Sequence, residues 1–278
     1  MIIILKEADF SENNIGQIEI PVEFSELTKS VIAKYSNINS GVKVKLNTML
    51  NTLNTAGIYS KLKVLYIPIL ASNLNECFIE LINNYQVDDA TKLSAYTYNS
   101  DGVSRTGGFS SRTAGANSPA YIQVDSFNAS SLSMFAYRAS VPANQAEQFS
   151  QDSTFISGVI GFGNTALNEI SPSHFPVGKF GSTAAVMAST SSATAAVAGL
   201  VVTTDDGTTG KVFVNGNVEA TGSHSDNANV NNKMMIPLDS GSKNGTDIIP
   251  HWGIFGVASY LTDSEVGILT NAINTFMS

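Results

Sequence analysis

Apolar positions recur at two different periods along this chain, and the period changes near residue 90. In the first part Phe24, Leu27, Val31, Ile32 and Tyr35 fall on one face of a helix that begins after Pro21. Leu46, Met49, Leu50 and Leu53 predict a second amphipathic helix, closed at Gly57, where glycine adopts a left-handed backbone at least cost. Residues 64–70 have strand character, but Pro68 has no N–H to donate and confines the run to an edge or an exit segment. Ser72 is placed to cap a third helix ending near Asn83, with Leu74, Cys77, Phe78, Leu81 and Ile82 along one face.

From about Thr91 the helical period gives way to short apolar or alternating runs separated by Gly, Ser and Asn. Residues 121–124, 131–139, 154–161, 195–203, 211–214, 218–221 and 252–260 are predicted strands. Asn215-Gly216 marks a tight hairpin, because both central positions of a type I′ turn need positive φ. Asp205-Asp206-Gly207 marks a second turn. Many short strands with such turns predict a two-sheet sandwich or barrel. The last strand runs into Leu261-Thr262-Asp263-Ser264-Glu265, where Thr262 and Glu265 form a capping box. Val266, Leu269, Ile273 and Phe276 then give a closing helix its apolar face. The expected organisation is an N-terminal strand and helix segment over 1–90 and a β domain over 91–278 that the C-terminal helix closes.

Composition narrows the function classes. Charged residues make up 14% of the chain against roughly 25% in an average soluble domain, the deficit being filled by neutral polar residues. A net charge of −8 without a basic stripe argues against a nucleic-acid partner. The single cysteine excludes an internal disulfide framework and a cysteine-rich zinc site, and its neighbours place Cys77 in a core. No run approaches the roughly 20 apolar residues of a membrane-spanning helix, so membrane insertion is not expected. The apolar start is too short for a secretory signal, which predicts a protein kept in a cytoplasm or released by lysis.

Two blocks carry a resemblance. The segment LNTMLNTLNTAGIYSKLKVLYIPIL, residues 46–70, resembles a helix-plus-strand block that precedes a β-sandwich in bacteriophage and prophage structural proteins, often from phages of gut Bacteroidales. The block HWGIFGVASYLTDSEVGILTNAINTF, residues 251–276, is similar to the terminal strand and helix of the same proteins, and more loosely to concanavalin A-like and laminin-G-like jelly rolls. The opening residues 1–20 also resemble the starts of such virion proteins. The resemblance implies a mainly β fold, a concanavalin A-like two-sheet antiparallel sandwich with an N-terminal α/β segment and a C-terminal helix. It implies a virion component, a tail-fibre, head-fibre or adhesin subunit made in a bacterial cytoplasm and released by lysis. Its partners would be other virion proteins, further copies of itself, and a host surface glycan or protein. A purely structural capsid or tail decoration, without receptor binding, is the alternative.

Enzymatic chemistry finds little support in the residues. A polysaccharide depolymerase would need paired carboxylates on one strand face, and no such alternation occurs. There is no G-x-S-x-G, and His174, His224 and His251 lack a spaced nucleophile. Gly158, Gly161 and Gly163 do not precede a helix start as a dinucleotide fingerprint requires. A non-enzyme without cofactor is therefore expected. Calcium is the one candidate ion, with Asp205, Asp206, Asp226 and Asn227 as ligands on a loop rim, although such residues are turn formers first. Trp252 opens the last strand and is expected in core or interface. For recognition, Tyr96, Tyr98, Arg105 and Arg112 lie in the loop-rich stretch 94–120 and are the candidate binding residues. The competing reading packs Tyr96 and Tyr98, as alternate residues of one strand, onto a sheet face.

Overall fold

The computed structural model describes residues 23–86, 96–100, 102–105, 121–123, 131–138, 147–148, 177–180, 185–188, 199–223, 233–235, 238–239 and 252–278. Helix α1, Glu26–Ile32, begins where the Ser25 hydroxyl accepts from the Thr28 N–H. Helix α2, Ser40–Thr55, is capped by Asn39, whose Oδ1 accepts from the Gly41 N–H at 2.8 Å. Leu46, Met49, Leu50 and Leu53 are all buried, as their spacing predicts, and Gly57 ends the turn at φ +74°. Strand β1, Leu62–Tyr66, stops just before a 3-10 turn at Pro68–Leu70, where proline can no longer donate to a ladder.

The third helix expected from Ser72 to about Asn83 does not form; only a 3-10 turn at Glu76–Phe78 is present. Side chains capture the N–H groups a helix would use. The Ser72 N–H donates to Glu76 Oε2 at 2.8 Å and the Glu76 N–H to Asn73 Oδ1 at 3.1 Å. Ile82 and Asn83 donate to the Glu80 carboxylate at 2.9 and 2.6 Å. Such local bonds compete directly with the i to i−4 ladder. The apolar face nevertheless finds its core, since Cys77, Phe78 and Leu81 are buried.

The remaining elements are β2 (Tyr96–Asn99), β3 (Gly102–Arg105), β4 (Tyr121–Gln123), β5 (Leu132–Arg138), β6 (Glu147–Gln148), β7 (Val177–Phe180), β8 (Ala185–Ala188), β9 (Gly199–Asp205), β10 (Thr209–Val214), β11 (Asn217–Ser223), β12 (Lys233–Met235), β13 (Leu238–Asp239), β14 (Trp252–Ser259) and α3 (Asp263–Met277). Among the described residues the strands form one eight-stranded sheet in the order β11-β10-β9-β5-β14-β3-β2, with β1 also on β14, and three two-stranded sheets, β4–β12, β6–β13 and β7–β8. All of these pairings are antiparallel. The β10–β11 hairpin turns on Asn215 and Gly216 at φ 50° and 86°, the positive values its sequence demands. The predicted strand at 154–161 lies outside the described residues.

The division expected near residue 90 does not separate two cores. Strand β1 is hydrogen-bonded to β14 from Leu62 to Tyr66, and the Tyr66 ring stacks on Phe255 at 4.9 Å. Helix α2 packs against α3, and buried residues from Val31 to Phe276 form one cluster. Strand β14 sits between β5 on one edge and β1 with β3 on the other. Trp252 through Ala258 and Gly199 through Asp205 are buried at every position. Successive side chains point to opposite faces, so both faces of these strands are covered.

The start of α3 covers one of those faces. Lys211, Thr204, Ser133 and Ala258 stand opposite one another across four strands, so they share a face. Lys211 meets both Asp263 carboxylate oxygens at 2.7 Å, and the Ser133 hydroxyl accepts from the Leu261 N–H at 2.8 Å. The capping box is complete, with Thr262 and Glu265 exchanging their bonds, and Lys61 adds an ion pair to Glu265 at 2.6 Å. Val266, Leu269, Ile273 and Phe276 are buried, each contributing on the order of 1.5–3 kcal/mol.

This anchorage makes stability depend on pH. Burial alone would raise the Glu265 carboxyl, but bonds from Lys61 and from the Thr262 cap outweigh it and hold it below the ordinary value. Glu76 is likewise lowered, chiefly by its hydrogen bond from Ser36. A depressed folded-state value contributes stability above the unfolded pKa that is lost as pH falls through the folded one. The melting midpoint is therefore expected to drop as pH falls below about 5, and Glu265→Gln to flatten part of that fall. A variant profile that parallels the wild type would remove Glu265 from the account.

Candidate functional site

Strands β2 and β3 hold the residues expected to bind, with Asn99 opposite Gly102 and Tyr96 opposite Arg105. Tyr96 is 4% exposed and meets the Phe78 ring edge-on, with centroids 5.2 Å apart. Tyr98 is half-buried and donates its hydroxyl to the Ala71 carbonyl at 2.9 Å. Their period-2 spacing sends both side chains to the face turned toward residues 71–78. Tyr96 is therefore core and not an exposed platform, and Tyr98 is an anchor. Arg105 closes β3, while Arg112 lies outside the described residues. The hairpin leads directly into the Ser- and Gly-rich stretch 106–120, which carries Arg112.

The Asp205 and Asp206 carboxylates serve the β9–β10 turn. Asp205 Oδ1 accepts from the Gly207 N–H at 2.7 Å, and Asp206 Oδ1 from the Thr208 N–H, the Thr208 hydroxyl and the Thr209 N–H at 2.8–2.9 Å. Among the described residues no group of three His, Cys, Asp or Glu is placed to hold a metal ion, and Asp226 and Asn227 fall outside them. All three histidines also lie outside them. No helix among the described residues is long and apolar enough to cross a membrane.

Glu80 is a residue that periodicity missed. It is 3% exposed, and its carboxylate accepts from the N–H groups of Leu65, Ile82, Asn83 and Tyr85. Leu81 in turn donates its N–H to the Leu65 carbonyl, so residues 80–81 cover the outer edge of β1. The available signal was a lone acid between Phe78-Ile79 and Leu81-Ile82. Beside it lie the Tyr66 and Tyr35 hydroxyls, buried without a protein hydrogen-bond partner. Burial pushes both far above the ordinary tyrosine value, reinforced at Tyr66 by Glu80 and Tyr35. Burial, then Glu76, pushes the Cys77 thiol up to about 12, which keeps it an inert core residue. Trp252, 1% exposed, is core as well.

No family model matches the chain, and no curated protein matches it. Solved structures do. The fold is shared with botulinum neurotoxin receptor-binding domains. The serotype D ligand-binding domain, solved in complex with N-acetylneuraminic acid, superposes with a TM-score of 0.55 at 10% identity over 81% of this chain. The serotype D receptor-binding domain gives 0.53 at 9% identity over 77%, and a further serotype D binding-domain structure 0.51 at 10% over 78%. This chain spans 52–53% of those three chains, about half their length. At such identities the likeness is one of fold: a mainly antiparallel, jelly-roll-like β architecture with a few helices.

Proposed function

We propose that this chain is a non-enzymatic recognition module, a lectin-like domain that binds a surface glycan or the protein carrying it. The observation that carries the reading is the fold shared over 81% of the chain with a ligand-binding domain that was solved with a sialic acid. Because the match spans about half of that domain, the inference concerns the rigid frame and not a particular pocket. The chain's own residues supply the rest. Tyr98 anchors a hairpin that leads into a polar, arginine-bearing stretch, and a guanidinium at Arg105 or Arg112 suits the carboxylate of an acidic sugar. Among the described residues the Glu80, Asp205, Asp206 and Glu265 carboxylates are engaged by turn, strand-edge and helix-cap bonds and Asp263 by its ion pair with Lys211, which favours binding over glycoside hydrolysis.

A finer reading adds the two sequence blocks. They support display of this module in repeated copies on a virion, as a fibre or adhesin subunit beside other virion proteins, released from the host by lysis. Strands buried on both faces support a second layer, with β7–β8 lying against β10 and β11 as part of a two-sheet sandwich. Repetition would raise weak single-site affinity through effective concentration.

The test is binding of the purified full chain to an array of sialylated, otherwise acidic and neutral glycans, together with intact bacterial cells and their surface polysaccharide. Saturable binding is expected, reduced at least roughly tenfold in an Arg105→Ala, Arg112→Ala double variant. An assembled protein that binds no glycan and no cell overturns the recognition reading in favour of a structural decoration role. Detection of the chain in purified phage particles by mass spectrometry tests the virion reading separately.

A further inference from the structure

Two hydroxyls beside Glu80 are left with bonds to make. Tyr35 and Tyr66 are 7% and 0% exposed, and neither hydroxyl has a hydrogen-bond partner in the protein. Buried hydroxyls in folded proteins are nearly always bonded, either to protein or to ordered water.

Both tyrosines belong to one polar spot. Tyr35 lies between two residues tied to the segment that carries Glu80. Lys34 Nζ donates to the Glu80 carbonyl at 3.3 Å, and the Ser36 N–H to Glu76 Oε1 at 3.2 Å. Tyr66 follows Leu65, whose N–H donates to Glu80 Oε1 at 3.0 Å. Glu80 helps to raise both tyrosines, and Tyr35 in turn helps to raise Tyr66. The two hydroxyls are therefore near enough to act on each other, yet they do not bond each other. A single bridging molecule spans such a separation.

The chemistry of the spot selects that molecule. Burial keeps both phenols protonated, so each has an O–H to donate. The Glu80 oxygens already accept from four N–H groups, the longest of these bonds, from Tyr85, being 3.4 Å. A cation would compete with those donors for the same lone pairs, and an anion would meet the carboxylate charge. Water accepts from two hydroxyls and still has protons to donate.

We propose that one water molecule is bound in the core between Tyr35, Tyr66 and Glu80, accepting from both hydroxyls and donating toward the carboxylate. It joins the turn after α1, strand β1 and residues 80–85 in one buried network. This site is independent of the glycan reading, and its test uses no glycan.

Thr203 supplies the contrast. Its hydroxyl is also buried without a partner, but its register neighbours are the apolar Val212 and Met134. Thr203→Val removes an orphaned group and is expected to leave the melting midpoint of the full chain unchanged or raised. Tyr35→Phe and Tyr66→Phe each take a bond from the water and are expected to lower the midpoint by about 2–4 °C. The double variant should fall short of the sum, because both changes strike one shared molecule. Magnetic relaxation dispersion of the water oxygen reads the molecule directly, and the parent chain should hold one more long-lived water than the double variant. Tyrosine variants that match Thr203→Val in sign overturn the proposal. So does a dispersion amplitude that the double variant leaves unchanged.

Discussion

Replacing Glu80 by alanine is expected to cost the protein about 3–5 kcal/mol, because several backbone N–H groups lose their acceptor together and each one left buried and unpaired costs about 1–3 kcal/mol. Four backbone N–H groups lose their acceptor at once. Leu65 and Ile82 donate to Oε1 at 3.0 and 2.9 Å, Asn83 and Tyr85 to Oε2 at 2.6 and 3.4 Å. The Leu65 N–H lies on the buried edge of β1, and an orphaned buried donor costs about 1–3 kcal/mol. Glu80→Gln keeps one carbonyl oxygen and should lose roughly half as much. Urea denaturation of the two variants measures both values. If each stays within about 1 kcal/mol of the parent, the carboxylate is not what organises residues 80–85.

Gly256→Val is expected to be at least as damaging, for a steric reason. A Cβ at Gly256 would stand 2.5 Å from the Val64 carbonyl oxygen and 2.6 Å from Phe135 Cζ. Strand β14 is held between β5 and β1, so neither neighbour can retreat without breaking a ladder. Overpacking ordinarily costs about 1–3 kcal/mol, and a clash with backbone in a central strand belongs above that range. Gly267→Ala is the control. Nothing lies within 4 Å of a Cβ there, and the position is inside α3, so the change should stabilise by about 0.5–1 kcal/mol. Thermal melts that rank Gly256→Val equal to Gly267→Ala would show that β14 is not the central strand.

The candidate site was less legible than the frame around it. Tyr96 and Tyr98 stand as aromatics in polar surroundings, yet it is their alternate spacing on β2 that governs their packing. Asp205 and Asp206 likewise followed turn chemistry before ligand chemistry. Periodicity does not reveal Glu80, because it counts apolar positions, whereas the role of Glu80 comes from donors as far away as Leu65. Together with Asn73 and Glu76, the same carboxylate explains the missing helix after Ser72. Local propensity favoured a helix there, and side-chain acceptors won the competition for its N–H groups.

The sequence by itself determined the features whose causes are local. Helices α2 and α3 follow from spacing and caps, the β10–β11 turn from Asn215-Gly216, and the end of β1 from Pro68. Each rests on bonds or torsions within a few residues, and a linear pattern records those. Only the tertiary structure decided that β1 joins β14 across nearly two hundred residues, that residues on both sides of position 90 share one core, and that Lys61 and Lys211 fasten α3. Strand partners and ion pairs are chosen by which buried surfaces and donors meet in space, and that choice leaves no periodic trace along the chain.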